Sequence, residues 1–297
     1  MASVRFNLRL VAQSHWRSVH RWQPKRWLWG RARCCMSSLV GRRVMLTRPA
    51  SQAQGMAANL AALQAVPILL PVIEIAPLAD TSELDNALFA LAAYDWLILT
   101  SVNGVGAVWD RLAELKVPGL PPALKVAAIG PKTAHGLEQR GIQPDFVPSE
   151  YVAEAIYPGL GNVNGKQILL ARADIARPAL LRLIEQGGGR AVDIAAYRTL
   201  PAQADPTGLA ELRRGVDVIA FTSPSTVHNF VRLCNGEQLR FPDLPGKPVF
   251  AVIGPITAQA LADYGVKPDL VAVEYTAEGL VAALLNYFES QPLRNSL

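Results

Sequence analysis

The sequence predicts an α/β protein made of two similar domains, in each of which helices cover both faces of a parallel sheet. The first observation is a repeat: residues 129–156 recur at 253–280 without a gap, and 14 of the 28 aligned residues are identical. The second is that apolar runs of strand length alternate with helical stretches through both halves. This alternation indicates parallel sheets, because parallel strands need a crossover connection that is usually a helix.

The repeat extends beyond that segment. Residues 41–48 match 165–172 at the same offset of 124, and residues 95–101 match 217–223 at an offset of 122. The chain is therefore interpreted as a duplicated unit of roughly 124 residues, which is an ordinary domain size. Two such domains facing each other form a cleft, and clefts between domains are where small ligands bind.

The elements are predicted in the same order in both halves. Each half opens with a buried strand, since its apolar residues run on without alternation. A helix, a second strand, a helix and a strand ending in Thr-Ser follow, and then a helix and a strand ending in Ile-Gly-Pro. A further helix, a short apolar run and a final helix opened by Tyr-X-Ala-Glu complete the half. The four matched pairs of elements to which we give bounds are strands at 44–47 and 168–171, helices at 52–64 and 177–186, strands at 68–73 and 192–197, and strands at 96–101 and 218–223.

The net charge of +5 comes from one end of the chain. Residues 1–35 carry eight basic residues and no acidic one, so the 29 basic residues fall to 21 against 24 acidic ones without them. The body is thus slightly acidic, which argues against a nucleic-acid partner. Residues 1–40 are interpreted as an N-terminal extension. Either translation begins at Met36, or the segment is a targeting or functional arm. Its richness in Arg and Ser is typical of a transit peptide, and its lack of an apolar core argues against a secretory signal.

The composition removes several function classes. The three cysteines form no disulfide framework, and the four histidines show no metal-ligand spacing. There is no GxGxxG motif after a strand, no P-loop, no GxSxG motif, no CxxC and no HExxH. We therefore expect no cofactor and no metal. No stretch approaches a membrane span, and the cysteine usage suits a reducing, cytoplasmic location.

Hydroxyl side chains and helix starts mark the predicted strand ends. Ser101 and Ser223 each follow a strand and precede a helix, so they are natural N-caps. Thr133 and Thr257 fall in the first turn of helices that open with proline. First-turn amides at the positive end of the helix dipole bind anions. These residues are either ordinary caps or the lining of a cleft for a polyanion.

Three further residues are candidates for the cleft. Arg48 and Arg172 occupy matching positions after the first strands, where each is either a carboxylate ligand or a solvated surface charge. Tyr197 ends the second strand of the second half, where the first half has Ile73. Its phenol is either a proton donor in a desolvated cleft or an amphipathic residue at a strand end.

The ordered set of short motifs resembles the uroporphyrinogen-III synthase family. The pieces are LTRP at 46–49, LTSVNGV at 99–105, VAAIGPKTA at 126–134, YRTLP at 197–201, FTSPSTV at 221–227 and AVIGPITAQAL at 251–261. The resemblance covers roughly residues 41–288 in the family order. It implies two flavodoxin-like domains joined by a two-stranded linker, with domain one at 41–73 plus 202–288 and domain two at 74–201. The repeat alone fits simple tandem domains equally well.

The resemblance also implies a function. Members of the family are cofactor-free lyases of porphyrin and haem biosynthesis. They cyclise hydroxymethylbilane, a linear tetrapyrrole with eight carboxylates, expelling water and inverting the last pyrrole ring. Tyr197 aligns with the family's best proton donor, and Ser101, Thr133, Ser223 and Thr257 match cleft positions. The family implies a monomer, with channelling from the preceding pathway enzyme, and no nucleic-acid or membrane partner. The alternative is a non-catalytic, two-lobed binding protein for a small polyanion.

A chain that starts at Met36 should be soluble, with an unchanged melting temperature and undiminished activity. The reason is that residues 1–35 lack apolar periodicity and have no counterpart in either repeat. Thermal unfolding of the full and shortened chains measures this directly. A large drop in melting temperature on truncation would contradict the interpretation of residues 1–40 as an extension.

Overall fold

The computed structural model describes residues 38–290, whose strands form two sheets. The first sheet has the order β10-β9-β8-β1-β2, and all of its strand pairs are parallel. Its strands are β1 (Arg43–Leu46), β2 (Val66–Leu69), β8 (Val218–Phe221), β9 (Val249–Val252) and β10 (Leu270–Val271). In chain order this is 2-1-3-4-5, an order of doubly wound α/β sheets.

The second sheet has the order β3-β7-β6-β4-β5. Its strands are β3 (Ile73–Ala76), β4 (Trp96–Leu99), β5 (Lys125–Ala128), β6 (Gln167–Ala173) and β7 (Arg190–Pro201). Strands β4 to β7 pair in parallel, whereas β3 runs antiparallel to the last four residues of β7. We call the first sheet with its helices the first lobe, and the second sheet with its helices the second lobe.

Helices cover both faces of each sheet. In the part of the chain that the structure describes, they are α1 (Ala50–Ala62), α2 (Ser82–Phe89), α3 (Val102–Glu114), α4 (Pro131–Glu138), α5 (Ala179–Gln186), α6 (Pro206–Arg214), α7 (Pro224–Gly236), α8 (Pro255–Ala262) and α9 (Ala277–Ser290). Four apolar clusters fill the space between helices and sheets, one on each face of each sheet. Strands β4 and β8 are buried along their whole length, as their uninterrupted apolar runs predict.

Aspartates at the amino ends of the strands secure the neighbouring backbone. Asp95 accepts a hydrogen bond of 2.9 Å from the Gln167 amide, and Asp217 accepts one of 2.8 Å from the Arg43 amide. Asp145 and Asp269 do the same for the first or second residue of β5 and β9, at 2.8 and 2.7 Å. The matched acidic residues of the two halves are therefore structural, and they lie at the opposite end of the sheets from the helix N-termini.

Two expected elements differ in the structure. The segment expected as one strand at 68–73 is divided into β2 and β3 around Pro71, which has no N–H to donate to a ladder. Its counterpart at 192–197 has no proline and lies within the continuous twelve-residue β7. The final helix of the first repeat is a 3-10 segment, Ala153–Leu160, because Pro158 removes an amide from its interior.

The packed part of the chain begins before the expected start of domain one at residue 41. Residues 38–40 form a turn, and Leu39 is fully buried in a core cluster of the first lobe. The expectations for residues 1–35 lie outside the described residues. Between residues 38 and 290, no helix has the length and apolar character that crossing a membrane requires.

Replacing Gly208 with alanine should lower the free energy of unfolding by about 1–3 kcal/mol, the usual cost of overpacking. A β-carbon at Gly208 in α6 would overlap the backbone oxygen of Leu69 in β2. Gly55 in α1 is the matched control, since its β-carbon would meet no atom within 4 Å. Gly55→Ala should instead stabilise the protein by about 0.5–1 kcal/mol through helix propensity. Urea unfolding compares the two variants, and equal effects would contradict the packing of α6 on β2.

Candidate functional site

A cavity lies where the carboxyl ends of both sheets meet. It has a volume of about 450 Å³. Residues at or just beyond the ends of strands β1, β4, β5, β6, β8 and β9 line it: Arg48, Thr100, Ile129, Arg172, Thr222 and Ile253. In open parallel sheets, ligands bind beyond the carboxyl ends of the strands. The cavity is thus in the ordinary ligand-binding position of both lobes at once.

Tyr197 contributes a buried phenol to the wall of the second lobe. Its side chain is 7% exposed, and its oxygen lies 2.9 Å from the Ser101 hydroxyl. Burial raises the pKa of the phenol, hydrogen bonds from Ser101 and Asn103 partly lower it, and Asp174 adds to the rise. The phenol is therefore protonated across neutral pH, which is the state that a proton donor requires.

Ser101 links this phenol to a helix start. It is the N-cap of α3, and its hydroxyl oxygen accepts a hydrogen bond of 2.9 Å from the Gly104 amide. That bond occupies part of the acceptor capacity of the oxygen, and the hydroxyl hydrogen stays free to point at the phenol. Ser101 itself is not among the residues that line the cavity, but Tyr197, to which it is bonded, is.

The first lobe presents its own hydroxyls across the cavity. Ser223 caps α7 in a capping box with Thr226, and its hydroxyl lies 2.8 Å from that of Ser225. Thr257 lies in the first turn of α8 and lines the cavity although it is only 2% exposed. Its counterpart Thr133 in α4 is similarly buried and does not belong to the described lining. Three of the four predicted hydroxyl residues therefore lie in the wall or directly behind it.

The two matched arginines are in different states. Arg172 is 2% exposed, and its guanidinium donates two hydrogen bonds to Asp193, the Nε bond at 2.9 Å. A third bond of 2.9 Å joins its Nη1 to the Arg177 carbonyl oxygen. Three of its five N–H groups are thus committed within the wall. Asp193 is the residue that sequence reasoning missed, and its signal is a lone acid in an apolar strand where the other half has Leu69.

Arg48 has no acidic partner bonded to its guanidinium in the described structure. Its Nη2 donates a hydrogen bond of 3.1 Å to Gln52, and its buried Nε has no hydrogen-bond partner among residues 38–290. Burial lowers the pKa of the guanidinium, and attraction to Glu278 partly offsets this. An arginine stays charged in proteins, so Arg48 is a desolvated cation at the cavity with a donor still to satisfy. This makes it the better placed of the two arginines to bind a carboxylate.

Two matched tyrosines explain the Ile-Gly-Pro motifs. A β-carbon on Gly130 would lie 3.1 Å from the ring of Tyr151, and one on Gly254 would lie 3.2 Å from the ring of Tyr275. Both rings line the cavity. The absence of a β-carbon in each motif therefore lets the tyrosine ring pack closely against the helix start. Sequence reasoning had used these tyrosines only as signals for the final helices.

Among residues 38–290, one side-chain contact within the cavity lining and one outside it join the two lobes. Gln52 in α1 donates a hydrogen bond of 2.9 Å to the Asn103 side chain in α3. Lys132 in α4 forms an ion pair of 3.0 Å with Glu278 in α9, and both of these side chains are more than half exposed. Exposed ion pairs contribute little to stability. The partly buried hydrogen bond between Gln52 and Asn103 is therefore the more significant link between the lobes.

The fold and the cavity define a class of two-lobed α/β proteins that bind a ligand between the carboxyl ends of two sheets. The family model described as uroporphyrinogen-III synthase HemD matches residues 54–282. Because this match covers most of the chain, the protein belongs to the uroporphyrinogen-III synthase family.

Curated relatives agree with the family. The chain is 32% identical over 251 residues to the uroporphyrinogen-III synthase of Synechococcus elongatus, covering 83% of this chain and 95% of that protein. It is 30% identical over 225 residues to a putative uroporphyrinogen-III synthase of Methanothermobacter thermautotrophicus, covering 73% and 87% of the two chains.

A solved structure supports the fold. A mutant uroporphyrinogen III synthase from Thermus thermophilus is similar with a TM-score of 0.60 at 24% identity, covering 84% of this chain and 100% of that one. The enzyme from Helicobacter pylori has a TM-score of 0.52 at 19% identity, covering 83% and 99%. At these identities the likeness concerns the fold alone.

Asp193→Ala should lower the free energy of unfolding by about 3 kcal/mol, because it leaves the buried Arg172 guanidinium without its counter-charge. Glu237→Ala breaks the more exposed pair with Arg213 and should cost about 0–1 kcal/mol. Denaturant unfolding of both variants measures the difference. A cost for Asp193→Ala no larger than the control's would show that Arg172 is free for another partner.

Proposed function

We propose that this protein is an active uroporphyrinogen-III synthase that converts hydroxymethylbilane into uroporphyrinogen III in the cleft between its lobes. The observation that carries the proposal is the buried Tyr197 phenol, held by Ser101 beside a cavity that also contains the partly unpaired Arg48. A neutral acid and a desolvated cation meet the two needs of the reaction. One is a proton for the leaving hydroxyl, and the other is a partner for the carboxylates.

The proton is accounted for through the whole reaction. The Tyr197 phenol donates its proton to the terminal hydroxyl of the bilane, and the carbon–oxygen bond breaks to release water. The phenolate left behind accepts hydrogen bonds from the Ser101 and Asn103 side chains, which stabilise its charge. The α-carbon of the last ring that already carries the bridging methylene bonds to the carbon from which the water has left, and this gives a spiro centre. The original bond from that ring carbon to the bridging methylene then breaks, and the methylene bonds to the unsubstituted α-carbon of the same ring. That carbon loses a proton, and this proton restores the phenol. The net change is loss of one water.

The geometry of the product is assigned to the cleft as a whole. Four helix starts face the region between the lobes, and their amides with the hydroxyls of Ser223 and Thr257 bind the acidic side chains of the substrate. Holding the chain bent, with its last ring turned, is catalysis by orientation. Binding is shared among many groups, so no single hydroxyl is indispensable.

We further propose that the two lobes descend from one duplicated domain and that the domain boundaries are those expected from the sequence. Domain one then comprises 41–73 with 202–288, and domain two comprises 74–201. Support comes from the strand orders: β4 to β7 fall within residues 96–201, whereas β1 and β2 share a sheet with β8 to β10. The antiparallel pair of β3 and β7 then contains both crossings between the domains.

Tyr197→Phe should lower kcat by about 10²–10⁴-fold with little change in KM, because a general acid acts in the transition state. Thr257→Ala should instead raise KM about threefold, since it removes one neutral ground-state contact. The assay supplies hydroxymethylbilane to the purified protein and separates the product isomers. A wild-type chain that forms no uroporphyrinogen III contradicts the proposal and favours a binding protein.

The same assay has an expected pH profile. The acid works in its protonated form, and its pKa is raised above the ordinary value of 10.0. Rising pH therefore removes no activity through Tyr197 until the alkaline range above that value. If kcat falls near neutral pH in the wild type but not in Tyr197→Phe, the tyrosine is not held as described.

A further inference from the structure

A continuous polar chain crosses the cavity from the cation of the first lobe to the acid of the second. Arg48 Nη2 donates to Gln52 Oε1 at 3.1 Å, and Gln52 Nε2 donates to Asn103 Oδ1 at 2.9 Å. Asn103 and Tyr197 both line the cavity, and the Asn103 side chain lowers the pKa of the Tyr197 phenol by hydrogen bonding. The contact between Gln52 and Asn103 is the point at which the chain passes from one lobe to the other.

The chain has a fixed direction because it starts at an arginine. A guanidinium has only donors, so it selects the carbonyl end of the Gln52 amide. This leaves the NH₂ end of Gln52 for Asn103, and that group selects the carbonyl end of the Asn103 amide. The NH₂ end of Asn103 is then the end that is available to the phenol oxygen. Arg48 therefore sets, through two amides, that Asn103 presents its NH₂ end toward the phenol.

The matching positions of the other half cannot form such a chain. Ala176 corresponds to Gln52 at the offset of 124, and Ser225 corresponds to Asn103 at the offset of 122. The Ser225 hydroxyl lies against Ser223 within its own helix start. The hydrogen bond between the Gln52 and Asn103 amides thus occurs at the matched position that lies beside Tyr197. The residue that matches Tyr197 in the other half is Ile73.

We propose that Asn103 is a positioning residue for the Tyr197 proton, and that Gln52 orients it only when the two lobes are closed. This inference rests on the proposed function, because it describes how the acid of that reaction is prepared. With Asn103 and Ser101 both donating to the phenol oxygen, the phenol hydrogen is directed into the cavity. When the lobes separate, Asn103 loses Gln52 and its amide is free to turn over. The acid is therefore assembled by closure around the substrate.

Removing the donor should reduce turnover without weakening binding. Asn103→Ala should lower kcat about tenfold and leave KM within about twofold, since a hydrogen bond to a charged group is lost in the transition state. In a Tyr197→Phe background the same substitution should have no further effect on kcat. A loss of kcat that persists in that background would overturn the proposal, because Asn103 would then act by another route.

Gln52→Glu separates orientation from packing. Glutamate has the size of glutamine and still accepts from Arg48, but its carboxylate has no N–H to offer Asn103. It should reproduce the loss of kcat seen in Asn103→Ala, and the two substitutions together should cost no more than either alone. Full kcat in Gln52→Glu would show that the direction of the chain is irrelevant. Asn229→Ala is the matched control, since Asn229 is not a lining residue and its amide in α7 donates to a backbone carbonyl oxygen, that of Ser225.

A measurement without substrate distinguishes failure of this inference from failure of the proposed function. In protein labelled with ¹³C in the tyrosine ring, the signal that is missing from Tyr197→Phe is followed against pH. The Tyr197 pKa should move upward in Asn103→Ala, because a donor that stabilises the phenolate is lost, and should not move in Asn229→Ala. An unmoved titration overturns the positioning role even if the enzyme is active. If the wild type forms no uroporphyrinogen III but the Tyr197 pKa still rises in Asn103→Ala, only the proposed function is overturned.

Discussion

The pairing of β3 with the end of β7 is the constraint on which the rest of the structure depends. The first eight residues of β7 follow the parallel direction of their sheet, and its last four form an antiparallel ladder with β3. Tyr197 lies immediately before that change of partner, at the irregularity in register opposite Ala173. Ladder hydrogen bonds therefore fix the backbone of β7 both before and after this point. The phenol is therefore placed by backbone hydrogen bonds of the second lobe, close to where the chain leaves it.

The near-symmetry of the two lobes is broken at the residues that matter for chemistry. Both halves keep the aspartates at the strand starts, the serine caps and the tyrosines over the Ile-Gly-Pro glycines. They differ where Leu69 replaces Asp193, so that one arginine is neutralised within the wall and the other is not. They differ again where Ile73 replaces Tyr197. Common positions build the cleft, and unmatched positions give its two sides separate roles, with a cation on one and an acid on the other.

Much of this could be predicted from the sequence, because local patterns determine it. Apolar runs, Thr-Ser strand ends and helix-opening prolines depend on neighbouring residues, and these located most strands and three of the hydroxyls at the wall. Gln52 gave no signal, and Asn103 entered only as part of the LTSVNGV motif, because the contact between these two side chains arises only when the lobes meet. Whether the Arg172 guanidinium is paired or free likewise depends on Asp193, which lies 21 positions further along the chain. The exchange of strands between sheets was invisible to the repeat because the matched strands look alike locally.

The interleaved order of strands has a consequence for how the protein is made. Strand β1 lies between β2 and β8, and its pairing with β8 joins residues more than 170 positions apart. The parallel strands of the second lobe, by contrast, all lie within residues 96–201. During synthesis, which proceeds from the N-terminus, the second lobe has all its strands while β1 and β2 still wait for theirs. We therefore expect the first lobe to fold after the second. Until the last third of the chain has been synthesised, β1 has an unpaired apolar edge that is prone to aggregation.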